Sequence, residues 1–101
     1  MVNILLADDD ILTLNQLNMY IAPLKSCRVI GQVQNGADAI SFLEKNAETD
    51  LIILDMEMPE VSGKDVAVYI QKHALPVIIL VLSNYDNFEY VKPVLRLGAW
   101  D

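Results

Sequence analysis

The chain has 101 residues, 53% of them hydrophobic, which suffices for one core and is too short for two conventional domains. Seven basic against fourteen acidic residues leave a net charge of −7, and the basic residues are scattered, so a surface that attracts nucleic-acid phosphates or anionic lipid is not expected. Cys27 is the only cysteine, which excludes an internal disulfide, suits a reducing compartment and points to a buried, inert thiol.

No apolar run approaches the length of a bilayer span, and the N-terminus lacks the basic start and small-residue cleavage site of a secretory signal. The expectation is a cytoplasmic protein with no membrane contact.

Asn3 to Ala7 is a short apolar run that reaches three successive acids, Asp8, Asp9 and Asp10. Ile11, Leu14, Leu17, Ile21 and Leu24 then recur at helical spacing, which predicts strand, acidic loop and amphipathic helix. Asp10 is placed to cap that helix, and a helix terminus accounts for one acid of the three. Asp8 and Asp9, crowded at a strand end, repel each other, and a cation is the natural compensation.

Pro23 closes the first helix, and Arg28 to Val33, interrupted by Gly31, predicts an edge strand. Asn35-Gly36 turns the chain into a second helix with Ala39, Ile40, Leu43 and Ala47 on one face and Glu44 and Glu48 on the other. Leu51 to Leu54 is an apolar run flanked by Asp50 and Asp55, suited to a strand buried on both faces. It delivers Asp55 to a loop punctuated by Pro59 and Gly63. The bland account is that Asp55 opens a turn; the functional one is that it lies where open parallel sheets bind ligands, beyond the carboxyl ends of the strands.

Val66, Ala67 and Ile70 mark a third helix, with Lys72 and His73 in its last turn. His73 is the only histidine, which excludes a histidine-based metal site or triad within the chain. Pro76 introduces Val77 to Leu82, the most hydrophobic run and a predicted buried strand, ending at Ser83. Asn84 to Asn87 read as a loop, and Phe88 to Leu97 as a helix that Pro93 kinks or starts. Gly98 to Asp101 begins a further element.

Strands alternating with helices through short connections predict an α/β protein with a parallel sheet and right-handed crossovers. Asp8, Asp9, Asp55 and Ser83 then share one rim. Neither a P-loop nor a dinucleotide fingerprint occurs.

These residues resemble the receiver domain of bacterial two-component response regulators along the whole chain, 1–101. Ile4-Leu5-Leu6-Ala7-Asp8-Asp9-Asp10 resembles that family's first strand and acidic pair. Leu54-Asp55-Met56-Glu57-Met58-Pro59 with Gly63 resembles the phosphoacceptor strand and loop, and Leu82-Ser83 the hydroxyl position of the fourth strand. The stretch from Leu82 to Tyr90, followed by Leu97-Gly98-Ala99, is similar to receivers joined to AraC-type output domains.

The resemblance implies a flavodoxin-like doubly wound parallel sheet, order 2-1-3-4-5, incomplete at the C-terminus because the chain stops near the start of the fifth strand, before that strand's lysine. It implies Asp55 as the acceptor of a phosphoryl group from a sensor histidine kinase, and Ser83 as a phosphoryl contact and switch. It further implies Mg2+ held by Asp8, Asp9, Asp55 and the backbone carbonyl of Glu57. The chain would be a signalling domain, not an enzyme in its own right, switching an output domain that regulates transcription; DNA contact would belong to that output domain. Loss of the fifth strand would expose the edge of the fourth and favour self-association.

Two alternatives stand beside this. One is a receiver-like dimerisation or interaction module that takes no phosphoryl group. The other is a haloacid-dehalogenase-like phosphotransferase, in which Asp8 is the nucleophile and Asp10 the second acid, although Leu12 stands where that class has Thr or Val.

Overall fold

The computed structural model describes residues 1–82. Four strands and three helices alternate: β1 (Val2–Ala7), α1 (Ile11–Ile21), β2 (Cys27–Val33), α2 (Gly36–Lys45), β3 (Leu51–Asp55), α3 (Gly63–Lys72) and β4 (Ile78–Leu82). The strands pair in parallel in the order β2-β1-β3-β4, with β1 and β3 central and β2 at an edge. This is the expected doubly wound order as far as the described residues extend. The fifth strand anticipated from Trp100, and the helix anticipated over Phe88 to Leu97, lie outside them.

Each helix starts where its sequence supplies a cap. Asp10 accepts a hydrogen bond from the amide of Leu12 at 3.0 Å, and Asn35 from that of Asp38 at 2.8 Å. Ser62 and Asp65 form a reciprocal capping box at the start of α3. Pro23 lies just past the α1 C-cap, Ala22, as expected; the periodic pattern nevertheless overran two helices. Leu24 and Ala47 lie beyond α1 and α2 and are exposed, because a following turn does not carry helical periodicity outward.

Alternate side chains of the central strands face opposite layers. Leu5, Ala7, Ile52, Leu54 and Ile79 pack against Ala39 and Leu43 of α2 and Val66, Ala67 and Ile70 of α3. Ile4, Leu6 and Ile53 pack against Leu14 and Ile21 of α1. Leu5, Leu6, Ile52 and Leu54 are fully buried, and each such side chain removed from water contributes about 1.5–3 kcal/mol. β2 skips Ile30 in its pairing with β1, which sets Gly31 opposite Leu5. A Cβ on Gly31 would lie 2.4 Å from Phe42 Cε2, so the missing side chain admits the ring.

Two expectations are corrected. β4 is not buried on both faces: Ile79 is buried, whereas Ile78 and Leu80 are 60% and 53% exposed. They point to the α1 side, and α1 packs over β1 and β2; among the described residues no helix covers that side of β4. Cys27, at the start of β2, is half-buried rather than buried, because an edge strand is shielded less than a central one.

Candidate functional site

The pairing register determines which acids meet. Ala7 of β1 lies opposite Leu54 of β3, so Asp8 and Asp55, one residue further along each strand, emerge side by side at the carboxyl rim. Asp8, Asp9 and Asp55 each place a carboxylate oxygen within 4.8 Å of the others. Asp8 is buried, Asp55 half-buried and Asp9 exposed, so the cluster opens to solvent on the Asp9 side.

Local hydrogen bonds fix two of the three. The amide of Asp8 donates to the carbonyl of Val33 at 3.1 Å, and its carboxylate accepts from the amide of Asp10 at 2.8 Å. Asp55 Oδ1 accepts from the amide of Glu57 at 3.1 Å. Both bonds favour the ionised acids, yet burial outweighs them. Asp8 lies above its ordinary value, chiefly through burial, with the charges of Asp9 and Asp10 adding to the rise. Asp55 is pushed up to about 6, again first by burial and then, against the Glu57 bond, by the charges of Asp8 and Asp9.

Three oxygens converging in this way, on acids whose charges oppose one another, fit a hard divalent cation that takes carboxylate and carbonyl oxygens and keeps several waters. Asp10 does not belong to the cluster. Its carboxylate is engaged by the amide of Leu12 and, at 3.1 Å, by the hydroxyl of Thr13. The Asp8/Asp10 pairing required by a dehalogenase-like site is therefore not the one assembled.

Glu57 lies exposed, two residues past Asp55, and touches the site through its amide. Leu82 pairs with Asp55 at the end of β4, and Ser83, the next residue, lies outside the described residues. Sequence reasoning missed the anchors of the loop after β3: Met56 and Met58 are buried in the core, and Val61 packs against it. The signal was present, since Leu54, Met56 and Met58 alternate with Asp55 and Glu57. Glu60 turns the loop with a positive φ of 63°.

This geometry has counterparts. The model of the response regulator receiver domain family matches residues 4–101. The chain belongs to that family. The response regulator UvrY of Escherichia coli K12 is 28% identical over 99 residues, covering 98% of this chain and 45% of its own length. The signal receiver domain of NarL from Mycobacterium tuberculosis superposes with a TM-score of 0.88 at 28% identity, over 97% of this chain and 78% of that one. The isolated REC domain of RcsB from Salmonella enterica serovar Typhimurium, solved in the presence of the phosphomimetic BeF3-, gives 0.84 at 25% identity, over 95% and 71%. This receiver thus spans less than half the length of UvrY. The flavodoxin-like receiver fold is as expected, and among the described residues no helix is long and apolar enough to cross a membrane. The AraC-type likeness rests on Leu82 to Ala99, nearly all of it outside the described residues.

Proposed function

We propose that this receiver accepts a phosphoryl group on Asp55 from a phosphohistidine of a sensor histidine kinase in the cytoplasm, and that the acyl phosphate so formed switches an output domain that regulates transcription. One observation carries the reading: the register sets the half-buried Asp55 beside Asp8 and Asp9, the juxtaposition that a nucleophile next to a cation-binding pair would need. An Asp55 oxygen attacks phosphorus, the bond from phosphorus to the donor nitrogen breaks, and the histidine keeps that electron pair. Little covalent work is asked of the protein beyond orientation and charge neutralisation.

Asp8, Asp9, Asp55 and the Glu57 carbonyl would hold Mg2+, which supplies positive charge against the transferring group's oxygens. The Glu57 amide orients the Asp55 carboxylate, leaving the other oxygen free to attack. Ser83 would take a phosphoryl oxygen and carry the change onward. A second copy of the chain is a further partner in this reading, supported by the exposed Ile78 and Leu80 on β4.

Labelling with acetyl phosphate and Mg2+, followed by mass spectrometry, tests the assignment. Labelled Asp55 in the wild type, none in Asp55→Asn and reduced labelling in Asp8→Asn are expected. Persistent labelling of Asp55→Asn would displace the nucleophile from Asp55, and no labelling of the wild type would favour an interaction module.

A further inference from the structure

Gly63, the first residue of α3, sits against the strand that carries Asp55. Its amide donates to the carbonyl of Met56 at 3.2 Å. An ideal Cβ built on it would lie 2.2 Å from the carbonyl oxygen of Asp55, 2.7 Å from Met56 Cα and 2.9 Å from the carbonyl carbon of Asp55. Separations under 3.0 Å are essentially never tolerated by a real Cβ, and here every opposing atom is backbone, with no flexible side-chain end to swing away. A methyl group at 63 can be housed only by moving the Asp55–Met56 peptide or by lifting α3 off it.

That peptide leads directly into the next amide, Glu57 N–H, which holds the Asp55 carboxylate. The Ser62/Asp65 capping box fixes the first turn of α3, and the buried Val66 and Ala67 hold the helix in the core cluster that contains Leu54 and Met56. We propose that Gly63 is a positioning residue for the phosphoacceptor site: the bare backbone at 63 lets α3 clamp the Asp55–Met56 peptide and thereby sets the Glu57 amide on the Asp55 carboxylate. The inference rests on the reading of Asp55 as a nucleophile beside a cation, but its geometric part can be read without either ligand.

Gly36 supplies a matched control. A Cβ there would lie 2.1 Å from the carbonyl oxygen of Val61, an equally severe backbone conflict, but one six residues along the loop from Asp55. Both substitutions cost stability; only Gly63→Ala reaches the site.

The experiment compares Gly63→Ala and Gly36→Ala, each in an Ala74→Gly background chosen to raise stability at a position remote from the site. Two readouts are taken on folded protein: the amide proton shift of Glu57 by NMR without metal, and the dissociation constant for Mg2+. Gly63→Ala is expected to move the Glu57 amide upfield by at least 0.3 ppm and to weaken Mg2+ at least tenfold; Gly36→Ala is expected to change Mg2+ binding less than twofold. An unchanged Glu57 amide in folded Gly63→Ala overturns the proposal, as does equal weakening by both variants. So does failure of Gly63→Ala to fold in the stabilised background, which would make Gly63 a requirement of the fold and not of the site. A wild type that binds no Mg2+ sinks the cation reading alone, because the Glu57 amide still reports whether Gly63 sets the carboxylate.

Discussion

At Asp55 two influences oppose each other: burial and neighbouring charge raise its pKa to about 6, and the Glu57 amide restrains that rise. A carboxylate whose folded pKa lies above the ordinary value near 3.8 holds its proton more tightly folded than unfolded. Below about pH 3 the group is largely neutral in both states and costs almost nothing. As pH rises through the interval between 3.8 and about 6, the unfolded chain ionises first and stability falls; above it the penalty is complete. Asp55→Asn is therefore expected to stabilise the metal-free protein at pH 7, on the order of 1 kcal/mol once solvent screening of this half-exposed group is allowed for. At about pH 3 the gain should all but vanish. Thermal unfolding of both proteins across that range checks this, and an unaltered pH dependence in the variant would contradict it.

The elements owe their boundaries to a few groups with local partners. α3 shows this at its far end, where the amide of Leu75 donates to the carbonyl of Ile70 and that of Ala74 to Gln71, both at 3.0 Å. This Schellman-type ending requires a left-handed residue, and Ala74 supplies it with φ of 50°. Glycine adopts that conformation without the Cβ conflict, offset in part by its greater freedom when unfolded. Ala74→Gly should stabilise the fold by roughly 0.5–1 kcal/mol. A midpoint of denaturation that fails to rise would show that the ending tolerates alanine at no cost.

For the molecule as a whole, bound Mg2+ should act through linkage, since the unfolded chain does not bring Asp8, Asp9 and Asp55 together. At ten times its dissociation constant the ion should stabilise the fold by about 1.4 kcal/mol and raise the melting temperature by about 5–10 °C. Asp9→Ala, which leaves Asp8 and Asp55 in place, should lose most of that rise in a thermal melt with and without the ion. The net charge of −7 opposes approach of a second copy through Ile78 and Leu80, and salt screens such repulsion beyond about 10 Å at 0.1 M. Sedimentation equilibrium should accordingly show association strengthening with salt, and a monomer at both low and high salt would dismiss that contact.

Much of this was legible from residues alone, because the signals are local. Apolar runs of four to six residues set β1, β3 and β4, and Asp10, Asn35 and Ser62 set three helix starts through bonds to amides two or three residues away. The run Leu51 to Leu54 announced a strand buried on both faces and delivered Asp55 to the rim. Composition could not say that Ile78 and Leu80 face outward, since an apolar run looks the same whether a helix covers one of its faces or both. The three adjacent acids were separable in the sequence: Asp10 stands where a cap of α1 is needed, and it does turn to that helix while Asp9 stays with Asp8. The nearness of Asp55 to Asp8, 47 positions apart, and the seat of Gly63 on the Asp55 peptide were decided by pairing register and helix packing, which are set by long-range contacts that no local pattern encodes.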